Sequence, residues 1–243
     1  MTTRAMTFYG TTIGKKVVMA ISGLIGVGYL VGHMSGNLLI FKGAQDPETR
    51  GQAINAYAHF LHSTPSLLWG TRLLLLGAII LHVHSAFSLW GRSSEARPRA
   101  YYQRKDLATN YAALTMRYGG LTLLAFIIYH LLHLTWGMTG HIGYEYDPDN
   151  CYNNLVLGFM NPAVSGFYIL AMCALGMHLY HGIWSLTQTL GADHPKYNAL
   201  RTAGAAGLTM VIVLGFIAVP ISVLTGTLEP MAGSAVIIEE VAE

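Results

Sequence analysis

Five stretches of this chain stay apolar for longer than a bilayer is thick. They run over about 15–41, 67–91, 113–139, 163–190 and 203–227, and a helix needs roughly 20 residues to cross the hydrocarbon. Backbone polar groups in lipid must be satisfied within their own segment, so each stretch predicts a transmembrane helix. The fold class is therefore all-α, a polytopic membrane protein with five spans. Residues 1–228 make one domain whose first four helices form a bundle, and 229–243 a flexible outer tail. The first run is too long for a signal-peptide core and no small-residue cleavage site follows it, so it is expected to be retained. In the connection 42–66, Ile54 to His62 has one apolar and one polar face and predicts a short interfacial helix that stops before Pro65. The acidic connection 140–162 carries turn signals in Asp147-Pro148-Asp149-Asn150 and Asn161-Pro162.

Composition agrees. The chain is 53% hydrophobic and 11% charged, against about a quarter charged in soluble domains. The placement of charge adds an orientation. Arg4, Lys15 and Lys16 precede the first helix, Arg92, Arg97, Arg99, Arg104 and Lys105 follow the second, and Lys196 and Arg201 follow the fourth. The remaining connections and the tail carry most of the acids. Basic loops stay inside, so the N-terminus is expected in the cytoplasm and the C-terminus outside, as an odd number of spans requires. The two cysteines, Cys151 and Cys173, form no Cys-x-x-Cys-His motif for a covalent haem. They are also too few for an iron–sulfur cluster within the chain.

Chemistry enters with the histidines. His33 lies between Gly32 and Met34 in the first run, His82 and His84 in the second, His130 and His133 in the third, and His178 and His181 in the fourth. Ionisable residues within membrane helices are functional candidates by default. The chain enters the first and third helices from inside, and His33 and His130 come late, so both lie toward the outside. It enters the second and fourth from outside, and His82 and His178 come late there, toward the cytoplasm. Two depth-matched pairs, His33 with His130 and His82 with His178, predict axial ligation of two haems stacked in a helix bundle.

Within each helix a choice remains. His82 and His84 are about 200° apart on a helical wheel and cannot face one haem together. His133 and His181 share a face with His130 and His178 and are candidates to bond a haem propionate or a quinone. Arg72 and Arg117 are candidates to pair with propionates or to snorkel to headgroups. Tyr57, His59 and His62 are the polar groups available to a quinone on the outer side. Gly28, Gly32 and Gly36 serve close helix packing or a wall for a porphyrin edge. The fifth helix has no interior histidine or charge and reads as packing alone.

Several motifs together carry a family resemblance. These are Ser22-Gly23-Leu24 leading to Gly32-His33-Met34, His82-x-x-x-Ala86-Phe87, Tyr129-His130-Leu131, and His178-x-x-His181-Gly182-x-Trp184 running to Gln188-Thr189-Leu190-Gly191. Over about residues 9–226 the chain resembles the five-helix, di-haem cytochrome b membrane subunit of succinate:quinone oxidoreductases and the related fumarate reductases. The resemblance implies a bacterial cytoplasmic-membrane protein and two haem b groups held by His33, His82, His130 and His178. It further implies flavoprotein and iron–sulfur partner subunits on the cytoplasmic face, which hold the flavin and the clusters. Electrons from succinate would reach menaquinone near the outer haem, or travel the reverse way. Some members have a functional glutamate before the second helix, where this chain has His62.

Other expected partners are the lipid bilayer and, for an assembled complex, further copies of it; nucleic acid is not among them. Competing readings are the cytochrome b of another respiratory dehydrogenase and, from a different class, a histidine-relay proton transporter. The latter predicts midplane carboxylates or broken helices, and the apolar runs contain neither.

Overall fold

The computed structural model describes residues 8–96, 111–140 and 142–231. Its helices are α1 Thr12–Asn37, α2 Gln52–His62, α3 Pro65–Glu95, α4 Tyr111–Leu134, α5 Cys151–Met160, α6 Pro162–Thr189 and α7 Asn198–Leu224. A 3-10 turn, Leu38–Phe41, extends α1, and Pro195–Tyr197 leads into α7. No strand occurs among the described residues. The basic loop expected after the second helix falls largely outside them, as does the tail beyond Met231.

Local sequence explains where the helices start. Thr11 Oγ1 accepts from the Gly14 amide at 2.9 Å and caps α1. Pro65 and Pro162 occupy the first turns of α3 and α6, where a missing amide hydrogen costs nothing. Asn161 Oδ1 accepts from the Ala163 and Val164 amides at the start of α6.

Four helical stretches, Thr12–Phe41, Pro65–Glu95, Pro162–Thr189 and Pro195–Leu224, are long and apolar enough to cross a membrane. The third expected span forms the 24-residue helix α4, Tyr111–Leu134. The faces turned away from the bundle carry Leu73, Leu76 and Ile80 on α3, Leu170 on α6, and Val211 and Leu214 on α7, all exposed. Side chains of this kind on an outward face suit contact with lipid.

Around the bundle the order is α3, α1, α6, α4. α1 packs closely on α3 and α6, and α6 packs on α4. Neither diagonal, α1 with α4 or α3 with α6, is among the close backbone contacts. α7 lies outside the ring against α1 and α6. Two glycines let it approach: a Cβ at Gly176 would lie 3.3 Å from Val213 Cγ2, and one at Gly215 would collide with Met34 Sδ.

The far end of the bundle, where α1 ends, is capped more heavily than the sequence indicates. The connection expected to hold only turns contains α5, whose residues Tyr152 to Phe159 are all buried. Ten residues are too few to span a membrane, yet the apolar run from Leu155 to Phe159 is buried between α6, α7 and α2. Asn55 ties α2 to this cap, donating to Asn150 Oδ1 at 3.1 Å and accepting from the Tyr152 amide at 2.9 Å. Arg50 donates to Pro230 O at 3.1 Å and pairs with Glu229 at 3.4 Å. The first residues of the expected tail are thus fastened to the cap.

Two outcomes follow from this packing. A Cβ at Gly158 would lie 2.7 Å from His133 Nε2, so Gly158→Val should lower stability by about 1–3 kcal/mol through overpacking. Gly166, with nothing near its Cβ position, is the control. Thermal unfolding in detergent compares Gly158→Val with Gly166→Ala, and equal midpoints would contradict the packing. Burial also pushes the Cys151 thiol up to about 11. In a Cys173→Ser background, its alkylation rate should climb about tenfold per pH unit between pH 8 and 10, where an ordinary thiol would level off.

Candidate cofactor site: two histidine pairs

The bundle brings together both histidine pairs expected from depth. The rings of His33 on α1 and His130 on α4 have centroids 5.8 Å apart at an interplanar angle of 86°. Those of His82 on α3 and His178 on α6 are 6.2 Å apart at 59°. Each pair spans one diagonal, between helices whose backbones do not pack closely. His82 lies against Met19 and Gly23 of α1, and His178 lies near Gly120 of α4. At 1.5 Å per residue the two pairs are roughly 15–18 Å apart along the bundle.

Two imidazoles on opposite sides of one metal ion, each bonded at about 2 Å, place their ring centroids roughly 6 Å apart. Both pairs have that spacing. Among the described residues there is no cluster of three or more His, Cys, Asp or Glu side chains suited to a metal ion. A metal held by such a pair must take its other ligands from elsewhere, and a flat macrocycle with in-plane donors meets that need in the gap across a diagonal. The chain's own groups therefore fit a haem between each pair.

The surroundings orient the rings differently at the two levels. His82 Nδ1 lies 3.0 Å from Met19 O and 3.3 Å from Ser22 Oγ. Donation to the carbonyl places the proton on Nδ1 and leaves the Nε2 lone pair available to a metal, the usual arrangement for a ligating histidine. A Cβ at Gly23 would lie 3.4 Å from His82 Cε1, so the glycine gives the ring its place. At the other level aromatic packing takes over. Tyr29 stacks on His33 at 5.3 Å and 11°, and Phe216 approaches it at 5.7 Å. Phe126 and Tyr168 flank His130 at 5.8 and 6.0 Å. The Nδ1 atoms of His130 and His178 are buried without a hydrogen-bond partner.

The other candidate residues are distributed more widely. His133 is 1% exposed and engages two tyrosines, Tyr168 Oη at 2.9 Å through Nδ1 and Tyr144 Oη at 3.2 Å through Nε2. Burial raises the Tyr144 phenol, in the loop after α4, well above its ordinary value, so it remains a neutral hydrogen-bonding group. His84 points away from His82, as the wheel requires, and its Nδ1 meets Tyr9 Oη at 2.5 Å. His181 packs near Trp184, and its Nδ1 is buried without a partner. Arg72 and Arg117 are exposed, their guanidinium groups over the rings of Trp69 and Trp90 at 5.1 and 5.0 Å. Among the described residues neither is paired with a carboxylate. His59 and His62 are exposed on α2, and Tyr57 lays its ring against Gly36 of α1.

Residues that the apolar pattern hides complete the site. Phe216 brings α7, expected only to pack, into direct contact with His33. Tyr168 and Tyr144, far apart in sequence, converge on His133. The Met19 carbonyl has no side-chain signature. The Tyr129-His130 and Gly32-His33 neighbourhoods offered an aromatic and a small-residue hint, but nothing in the sequence pairs Tyr29 with His33 beyond their spacing of one helical turn.

No family model and no solved structure matches this chain. The succinate dehydrogenase cytochrome b558 subunit of Bacillus subtilis (strain 168) is 26% identical to it over 171 residues, 70% of this chain and 75% of that protein. With four long apolar helices and no strand among its described residues, the chain is a distant homologue of that succinate dehydrogenase cytochrome b558 subunit.

Proposed function

We propose that this chain is the di-haem cytochrome b subunit of a succinate:quinone oxidoreductase, anchoring the complex and passing electrons between its iron–sulfur subunit and menaquinone. The observation that carries the reading is the placement of two histidine pairs on the two diagonals of one bundle, each at metal-bridging distance. The similarity to a succinate dehydrogenase cytochrome supports it independently. His33 with His130 and His82 with His178 would hold the haems, which would supply one-electron transfer.

The chain's residues divide the work by level. His82 and His178 form the pair nearer the N-terminus of α1, the end whose basic residues favour the cytoplasmic side and therefore the side of the flavoprotein and iron–sulfur partners. His33 and His130 form the outer pair. α4 completes the bundle as a fifth span, its histidines turned inward. Beside the outer pair, α2 and the start of α3 present Tyr57, His59, His62 and Arg72, polar groups suited to a quinone that takes up protons as it is reduced. In this reading the dicarboxylate is the substrate of the flavoprotein partner.

A dithionite-reduced minus oxidised spectrum with pyridine haemochrome quantitation on the purified complex should give two b-type haems per chain. None would overturn the proposal, and one would remove a pair from it. His33→Ala and His130→Ala should each abolish one low-spin EPR signal, and His82→Ala and His178→Ala the other. Loss of the same signal from both groups would break the pairing. Deleting the chain should release succinate:dye oxidoreductase activity from membranes into the soluble fraction. Activity that stays on the membrane would exclude the anchoring role.

A further inference from the structure

Resting on that reading, we infer that Tyr29 is a positioning residue of the outer pair: its ring, stacked on His33, sets the plane in which that imidazole faces a metal. The two rings have centroids 5.3 Å apart and an interplanar angle of 11°. The residues are four apart on α1, so the helix itself brings one side chain over the other. An imidazole turns about a torsion with broad minima, and its plane must be fixed by what surrounds it. At the inner pair the Met19 carbonyl does this for His82. Among the described residues no hydrogen bond does it for His33.

Three rings surround His33, and they act on it differently. His130 meets it nearly edge-on, at 86°, and Phe216 of α7 meets it at 46° and 5.7 Å. Oblique contacts of this kind limit how far a ring can swing. The near-parallel contact with Tyr29 is the one that selects a plane. Across the diagonal, His130 has no matching stack: Phe126 and Tyr168 meet it at 33° and 61°. The angle between the two imidazoles of this pair therefore depends on the side that Tyr29 controls. Tyr29 is in turn placed by its surroundings. Its phenol lies within electrostatic reach of Tyr57 and Arg72, and Tyr57 rests against Gly36, one turn beyond His33 on α1.

The low-spin EPR signal of a haem held by two imidazoles shifts with the angle between their planes, so it reads the orientation of His33. The test records that signal on the purified complex, with the outer pair assigned by its loss in His33→Ala. Tyr29→Phe keeps the ring and should leave the outer signal in place. Tyr29→Leu removes the ring, and because Tyr29 is 39% exposed it leaves no buried void. It should move the outer signal while haem content and the inner signal, which reports folding in the same sample, stay as in the wild type. Phe216→Leu, which removes an oblique contact, should move the outer signal less. An outer signal unmoved in Tyr29→Leu, with both haems bound, overturns this inference alone. An equal shift in Tyr29→Phe assigns the effect to the hydroxyl, and an equal shift in Phe216→Leu assigns it to general packing; either overturns it. Loss of the outer signal from Tyr29→Leu with the inner one retained makes the ring a retainer of the haem, and also overturns it. A wild type without a haem signal overturns this inference and the proposed function together.

Discussion

An imidazole inside an apolar bundle has few places to go, and the architecture of this chain is arranged around that constraint. The ring carries a donor and an acceptor that lipid cannot satisfy. Several of the membrane histidines turn toward one another, a tyrosine or a backbone carbonyl, while the Nδ1 atoms of His130, His178 and His181 are buried without a partner. His82 takes the Met19 carbonyl, His133 takes two tyrosines, and His33 and His130 face each other among aromatic rings. The same inward turn places each pair across a diagonal. α1 packs closely on α3 and α6, and α6 on α4, whereas the helices of each diagonal do not pack closely on one another.

The two ends of the bundle are built from different chemistry. At the N-terminal end of α1 a small polar layer of Tyr9, Lys15, His84, Ser85 and Arg92 fastens the lead-in segment to the last turns of α3. Lys15 in that layer lies over the Tyr9 ring. At the far end a cap of α2, α5 and the residues after α7 closes the bundle through asparagine, tyrosine and arginine hydrogen bonds. Tyr144 joins this cap to His133, so the loop and the layer next to His130 are mechanically one piece.

α7 shows how packing and chemistry merge. Its sequence has no histidine and no interior charge, and by residue type it is a lipid-facing helix. Gly215 and Gly176 bring it close enough to α1 and α6 for Phe216 to reach the His33 ring. A glycine contributes to the site here by what it leaves out.

The apolar runs were sufficient to place α1, α3, α6 and α7 within a few residues, because length and hydropathy are local properties and lipid leaves only helix as a solution. Topology then ranked the histidines by depth, which is why the pairs His33 with His130 and His82 with His178 were legible without coordinates. α5 was not legible: ten residues are too short to register as a span, and their burial depends on α2, α6 and α7 closing over them. The partners of His133 were hidden for a similar reason, since Tyr144 and Tyr168 lie in separate elements that meet only on folding. The sequence by itself determined the membrane helices and the depth of each imidazole along them. The tertiary structure decided which rings face each other, which carbonyl orients His82, and that Lys15 is buried, because these depend on helix rotation and on contacts between segments distant in the chain.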